Sequence, residues 1–286
     1  MADDQGIGTG QHSMTDTREQ QLYIELLKRM LTRYGFSEGA LREVRPRKKM
    51  YFRPLAKILR KQGFVLARPE PYDPVQRELG RDWPAHAETM VGLRRLENLH
   101  DCIRNIVDDG VPGDLVETGV WRGGSSIFMK GVLTAYGEKR DIWLCDSFEG
   151  LPPPDEVNFP HDAGIRLDQA SFFLGVTEDA VKRNFERYGL FDDNVHFVKG
   201  WFKDTLNSLP VEKISLLRLD GDLYESTIQA LDPLYPKLAV GGYCIIDDYG
   251  NIEACKRAVH DYRSAHGIED EIVDIDGYGA FWRKAS

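Results

Sequence analysis

No apolar run in this 286-residue sequence reaches the roughly 20 residues of a membrane-spanning helix, and its first residues lack the basic and apolar parts of a signal peptide. The expectation is neither membrane insertion nor secretion. Cysteine is scarce: Cys102, Cys145, Cys244 and Cys255 form no close pair with redox or metal-ligand spacing. Cys145 and Cys244 lie inside apolar, strand-like runs, where a free thiol acts as a small buried hydrophobe, so a reducing cytoplasm is expected. A surplus of basic residues is also missing. The net charge of −9 opposes the phosphate neutralisation on which nucleic-acid binding rests, and the local patch Arg45 to Lys49 reads as a solvated loop. Internal repeats and low-complexity tracts are absent.

What is present is ordinary for a globular chain, with 42% hydrophobic and 29% charged residues. Residues 1–14 carry no periodic apolar positions and are expected to be a disordered leader. From Thr15 to Tyr34 two apolar series, Leu22, Leu26, Met30 and Tyr23, Leu27, Leu31, recur at helical spacing and predict an amphipathic helix. Such a helix at the start of the chain leaves a homo-oligomer open. Residues 35–85 are punctuated by Pro46, Pro54, Pro69, Pro71, Pro74 and Pro84, so only short elements are expected, with a helical possibility around Leu55 to Arg60. A longer helix is predicted from His86 to Asp109, with Leu93, Leu96, Leu99, Ile103 and Ile106 on one face. Residues 15–109 thus form an accessory region ahead of a core at 110–286.

In that core, strand and helix signals alternate. Strands are predicted at Leu115 to Thr118, Ile142 to Asp146, Val195 to Lys199, Ser215 to Leu219, Gly242 to Asp247, and Glu271 to Asp274 with Ala280 to Lys284 as a hairpin. Helices fill Gly124 to Tyr136, Thr177 to Tyr188, Lys203 to Ser208, Tyr224 to Leu238 and Ile252 to His266. The alternation implies an α/β fold with a mainly parallel, doubly wound sheet.

Two strands end in paired carboxylates, Asp220-Gly-Asp222 and Asp247-Asp248, with one helix length between them. As a β-α-β unit this puts both pairs at the carboxyl edge of the sheet, where ligands bind in such folds. One Asp at a strand end is accounted for by helix capping. Two pairs on neighbouring strands repel each other unless a cation, protons or a ligand offsets them, which favours a hard divalent ion such as Mg²⁺ at Asp220, Asp247 and Asp248.

The first strand runs into Glu117-Thr-Gly119-Val-Trp-Arg-Gly123-Gly124-Ser125, and the next ends at Asp146. Glycines there let the chain turn and let a ligand approach the backbone, while an acid at the second strand tip accepts hydrogen bonds from ribose hydroxyls. A dinucleotide site wants Gly-x-Gly-x-x-Gly; this loop has Gly119-x-x-x-Gly123-Gly124 behind an acid that would repel pyrophosphate. S-adenosylmethionine fits better than NAD. Gly200-Trp201 at the third strand's end offers an aromatic to cover adenine, with core packing an equal reading for Trp201; Trp121 reads as packing with its backbone near the cofactor. His161 reads as a solvated loop residue within 150–176, a segment expected to shape the acceptor pocket, and His260 as a packed helix residue.

The runs Arg81-Asp-Trp-Pro-Ala-His-Ala, Asp114-Leu-Val-Glu-Thr-Gly-Val-Trp-Arg-Gly-Gly, Cys145-Asp-Ser-Phe-Glu-Gly-Leu-Pro and Leu219-Asp-Gly-Asp-Leu-Tyr-Glu-Ser-Thr together resemble the macrocin O-methyltransferase family, from about Leu22 to the C-terminus. The resemblance is strongest to its aminocoumarin branch, which methylates the 4-hydroxyl of a noviose-type sugar. It implies a class I S-adenosylmethionine-dependent methyltransferase fold with an N-terminal helical lid, acting on a glycosylated natural product. It also implies metal ligands at Asp220, Asp247 and Asp248 and a general base at Asp222. Related enzymes often carry Lys or His where this chain has Leu223, which supports Asp222 as the base. The cofactor-binding set expected on this basis is Thr89, Met90, Glu117, Thr118, Gly119, Val120, Trp121, Ser125, Asp146, Ser147, Gly200 and Trp201. Rival readings are a macrolide-sugar or phenolic acceptor, an NAD-dependent oxidoreductase, and a non-catalytic protein that keeps the fold.

Overall fold

A computed structural model of the chain describes residues 16–36, 41–44 and 53–286. The expected leader at 1–14 and the basic patch Arg45 to Lys49 lie outside the described residues. Seven strands form the main sheet: β1 (Asp114–Thr118), β2 (Ile142–Asp146), β3 (Val195–Lys199), β4 (Ile214–Leu219), β5 (Leu238–Ile246), β6 (Val273–Asp274) and β7 (Ala280–Arg283). Their order is β3-β2-β1-β4-β5-β7-β6. The first five are parallel; β7 is antiparallel to β5, and β6 antiparallel to β7. The β6–β7 pair is the hairpin expected around Gly277-Tyr-Gly279, with the Ile275 amide donating to the Gly279 carbonyl at 2.9 Å.

The central strands are apolar because helices cover both faces. Every residue of β4 is buried, and successive side chains on β1 go to opposite cores, Leu115 to one and Val116 to the other. The six longer helices are α1 (Arg18–Thr32), α2 (Leu93–Asp108), α3 (Gly124–Tyr136), α4 (Glu178–Arg187), α5 (Tyr224–Leu234) and α6 (Glu253–Ala265). α1 to α4 supply one core and α5 with α6 the other. A two-stranded ribbon, Leu41–Glu43 with Ala67–Pro69, and a helix at Arg53–Lys61 make up the short elements of the accessory region. All four cysteines are free and buried. Among the described residues no helix is long and apolar enough to cross a membrane.

Several boundaries differ from expectation. In α1 the Thr17–Gln20 capping box is present, yet the buried stripe is Ile24, Leu27 and Leu31, while Leu22 and Leu26 face outwards. Packing decides this: Leu27 lies so close over α3 that a Cβ on Gly131 would be 2.3 Å from its Cδ2. α2 begins at Leu93 rather than His86. The preceding stretch spends its backbone on tertiary partners instead of a helix: the Glu88 amide donates to Leu31, the Gly124 amide donates to Glu88, and the Arg77 guanidinium donates to the Met90 and Val91 carbonyls. α5 ends at Leu234 with Pro233 inside it, passes into a 3₁₀ turn at Tyr235–Lys237, and β5 starts four residues before Gly242. The predicted Lys203 to Ser208 helix is a single turn, Phe202–Thr205, followed by a 3₁₀ turn.

Winding reverses between β1 and β4, and in such sheets the crevice outside the strand ends at that point is where ligands bind.

Candidate active site

At the reversal point the ends of β1 and β4 meet through backbone, the Asp220 amide donating to the Thr118 carbonyl at 2.9 Å. Two cavities open there. The larger, about 390 Å³, is lined by Asp146, Ser147, Gly200 and Trp201 among others; the smaller, about 280 Å³, by Thr89, Val120, Ser125, Asp247 and Asp248. Met90, Gly119, Trp121, Asp220 and Asp222 belong to both walls, so the two spaces adjoin at the aspartates. Of the residues expected from sequence, only Glu117 and Thr118 line neither cavity. Both are buried beneath them, and the Thr118 hydroxyl has no hydrogen-bond partner.

Asp146 anchors the first loop. One carboxylate oxygen accepts the Val120 amide at 2.6 Å and the other the Phe148 amide at 2.7 Å. Burial raises its pKa, and these amides work against that rise. Trp121 sits at a φ of +48° with its indole N–H donating to the Phe173 carbonyl at 3.1 Å, so its ring is fixed by the 150–176 segment, as the packing reading expects.

The carboxylates of Asp220, Asp222 and Asp248 lie within 4.8 Å of one another. Burial is the first cause, and the neighbouring carboxylates the next, of raised pKa values at Asp222 and Asp248; at Asp220 the same two effects win against Arg218. The Asp248 Oδ2 is buried without a hydrogen-bond partner. Three buried or half-buried carboxylates this close together, with an orphaned oxygen among them, are short of positive charge. Their all-oxygen donor set fits a hard divalent cation.

Asp247 is the exception in this group. Burial opposes its ionisation, but Arg218 and Arg95 outweigh burial and lower its pKa. Arg218 donates to one Asp247 oxygen and Arg95 to the other. Arg218 also donates to Glu117 at 2.6 Å and to Asp220 at 3.0 Å, and Glu117, which accepts from the Ser126 hydroxyl, is pushed up to about 7 chiefly by burial. Arg95 extends the network outwards to the Gly80 carbonyl at 3.1 Å and the Asp276 carboxylate at 3.1 Å. Sequence reasoning misses both arginines. Arg218 leaves a signal, one charge inside an otherwise apolar strand; Arg95 leaves none, because it looks like any solvated charge on α2.

This arrangement, a glycine loop anchored by an acid at the tip of the second strand next to an acidic cluster, agrees with the family whose description is Macrocin-O-methyltransferase (TylF), which matches residues 20–284. The chain belongs to that family. It is an S-adenosylmethionine-dependent O-methyltransferase, and the oxidoreductase and non-catalytic readings fall. A Streptomyces olivaceus protein named 8-demethyl-8-(2,3-dimethoxy-alpha-L-rhamnosyl)-tetracenomycin-C 4'-O-methyltransferase is 49% identical over 92% of this chain and 93% of its own length. The demethyldecarbamoylnovobiocin O-methyltransferase of Streptomyces niveus is 48% identical over 73% of this chain and 80% of its own, and the mycinamicin III 3''-O-methyltransferase of Micromonospora griseorubida 42% identical over 96% and 100%. The solved structure of the O-methyltransferase NovP is similar with a TM-score of 0.81 at 40% identity, covering 93% of this chain and all of that one.

Proposed function

We propose that this enzyme methylates a sugar hydroxyl of a glycosylated antibiotic, the 4-hydroxyl of a noviose-type sugar on an aminocoumarin, with Mg²⁺ or another divalent cation at Asp220, Asp247 and Asp248. What supports the reading is the group of aspartates where the two cavities adjoin: Asp220 and Asp222 line both, Asp247 and Asp248 the smaller, and Asp247 shares its two oxygens with Arg218 and Arg95. S-adenosylmethionine occupies the larger cavity, with ribose at Asp146 and adenine towards Gly200 and Trp201, and its methionine end reaches past Gly119 towards Thr89 and Ser125. The acceptor sugar takes the smaller cavity, beneath Trp83 and Tyr278, with residues 80–92 as the lid. The 4-position is supported by the tetracenomycin relative's 4'-O activity and the aminocoumarin by the novobiocin relative. The mycinamicin relative favours a macrolide sugar as the second reading.

A sugar hydroxyl is a weak acid and needs help to become a nucleophile. A bound divalent ion supplies acidity and orientation to that hydroxyl. Asp222 accepts its proton; its own affinity for protons is raised by burial and by Asp220 and Asp247, which suits a base. The two cavity walls hold donor and acceptor in line, a major source of rate in a transfer between bound partners. Arg218 and Arg95 orient Asp247, while Asp222 is the carboxylate found beside Asp220 and Asp248.

The test is methyl transfer from labelled S-adenosylmethionine to demethyldecarbamoylnovobiocin, with calorimetry of S-adenosylhomocysteine and MgCl₂. Asp222→Asn keeps magnesium and S-adenosylhomocysteine affinity and loses turnover; Asp247→Asn loses magnesium affinity. Undiminished methylation by Asp222→Asn removes it as base, and product methylated on the aglycone instead of the sugar removes the acceptor assignment.

A further inference from the structure

The helix that follows Asp222 has no cap of its own. α5 starts after Leu223, which contributes no side-chain hydrogen bond. The first amides of a helix have no partner within it, and a capping carboxylate usually comes from the residue just ahead. Here it comes from Asp162, some sixty positions earlier, in the 3₁₀ turn Pro160–Asp162 of the long segment after β2. One Asp162 oxygen accepts the Tyr224 amide at 2.6 Å and the other the Glu225 amide at 3.0 Å. Asp162 is fully buried. The rings of His161 and Phe159 lie 5.0 and 6.3 Å from that of Tyr224, so the whole turn is seated on the start of α5.

Between the strand end at Leu219 and this cap run Asp220, Gly221 and Asp222, the last at a φ of +61°. A residue with a side chain is held in the left-handed region only where its surroundings fix it, at a cost in free energy. On the strand side the fixing comes from the Asp220 amide on Thr118, and across Asp222 itself the Leu223 amide donates to the Gly221 carbonyl at 2.6 Å; on the helix side the Thr227 amide reaches the Leu223 carbonyl at 3.0 Å, and the Tyr224 and Glu225 amides are held by Asp162. We propose that Asp162 is a positioning residue for methyl transfer, clipping the 150–176 segment to α5 so that Asp222 keeps its strained backbone and its place beside Asp220 and Asp248. This rests on the reading of Asp222 as the base. A segment that lines both cavities, through Gly150 to Pro153 in the larger and Leu167 in the smaller, and the aim of the base are thereby joined through one carboxylate, and its loss acts on turnover rather than on binding.

The variants are Asp162→Ala and Asp162→Asn in the full chain, assayed with S-adenosylmethionine, MgCl₂ and demethyldecarbamoylnovobiocin, alongside amide exchange at Tyr224 and Glu225. Asp162→Ala lowers kcat by about 10- to 100-fold, the scale of an ångström-sized misplacement, with acceptor KM and S-adenosylhomocysteine Kd within about threefold, and both amides lose protection. Asp162→Asn keeps one acceptor oxygen and recovers kcat to within about fivefold of the parent. Unchanged kcat in Asp162→Ala overturns the proposal, as does a loss carried by KM alone, which marks a plain pocket wall. If Asp162→Ala does not fold, Asp162→Asn decides: loss of protection at Tyr224 or Glu225 with kcat lowered about two- to fivefold supports the clip, and kcat equal to the parent's overturns it. Asp222→Asn is run in parallel. An active Asp222→Asn sinks the base assignment, whereas an inert Asp222→Asn beside a fully active Asp162→Ala sinks only the clip.

Discussion

Gly119 and Asp220 stand backbone to backbone where the sheet reverses its winding: a Cβ on Gly119 would lie 1.7 Å from the Asp220 carbonyl oxygen, and Gly119 has a φ of +81°. Both features exclude a side chain, and neither obstacle is a flexible group that can swing aside. The contact sets how near the donor loop comes to the first aspartate of the cluster. Gly119→Ala is therefore expected to lower the melting temperature by about 5 °C or more, from strain on the order of 1–3 kcal/mol, and to weaken S-adenosylhomocysteine binding at least tenfold. Differential scanning calorimetry and titration calorimetry measure the two effects; a parent-like variant in both would show that the loop relaxes freely.

Asp146 meets the same loop from the other side, through the Val120 and Phe148 amides. Asp146→Ala removes both anchors together with the proposed ribose acceptor, so S-adenosylhomocysteine affinity should fall by at least tenfold while Asp222 and the aspartate cluster stay in place. Unchanged affinity in the calorimeter would contradict the ribose placement.

Much of this architecture is legible in the amino-acid sequence. β2 and β3 have the bounds predicted from sequence: β2 shows up as an apolar run that stops at Asp146, and β3, a half-buried edge strand, as Val195, Phe197 and Val198 stopping at Lys199 before Gly200. The aspartates at the ends of β4 and β5 and the loop at Gly119 follow from the same logic. The irregular stretch at 86–92 does not. Its apolar spacing continues that of α2, and what prevents a helix is tertiary: Gly92 lies so close to the Glu78 and Gly80 backbones that a Cβ on it would be 2.3 and 2.4 Å away. Asp162 is equally hidden, since a loop has no periodicity to show that one of its acids will cap a distant helix.

Arg218 carries a stability prediction. It is buried among Glu117, Asp220 and Asp247 and is the charge that makes those acids tolerable on one sheet edge. Removing one partner of a buried ionic group leaves the others uncompensated, at a cost of about 3–5 kcal/mol. Arg218→Met should thus fold poorly or melt well below the parent, and adding Glu117→Gln should restore part of the loss. Additive losses in the double variant would show that Glu117 and Arg218 do not act as a pair.

The ion pairs at Glu97 predict a pH dependence away from the site. Glu97 accepts from Lys28 and lies 3.8 Å from the His100 ring, and the nearness of His100, ahead of the Lys28 contribution, holds its pKa down to about 2. A carboxylate with a folded pKa below its unfolded value stabilises the fold above the unfolded pKa, and that contribution fades as pH falls towards the folded one. Glu97 is half exposed, which limits the effect to about 1 kcal/mol or less. Glu97→Gln should melt slightly below the parent at pH 7, with the gap closing between about pH 4.5 and pH 2. A gap that stays constant over that window would assign the loss to packing.

Asp248 offers the sharpest separation of stability from function. Its Oδ2 is buried without a partner, and the carboxylates of Asp220 and Asp222 lie within 4.8 Å. Without a cation the buried carboxyl of Asp248 must either stand as a like charge beside its neighbours or take up a proton that the unfolded chain would not hold, and both cost stability; the neutral isostere avoids both, so Asp248→Asn should raise the metal-free melting temperature by several degrees. With a cation the sign reverses for the parent alone, because an ion that binds only the folded state adds stability that grows with its concentration. Millimolar MgCl₂ should therefore raise the parent's melting temperature and leave that of Asp248→Asn nearly unchanged, and the variant should lose methyl transfer despite its greater stability. A magnesium-dependent rise of equal size in both proteins would place the cation elsewhere, and a destabilised Asp248→Asn in chelator would mean that the buried carboxylate has a partner that stabilises it.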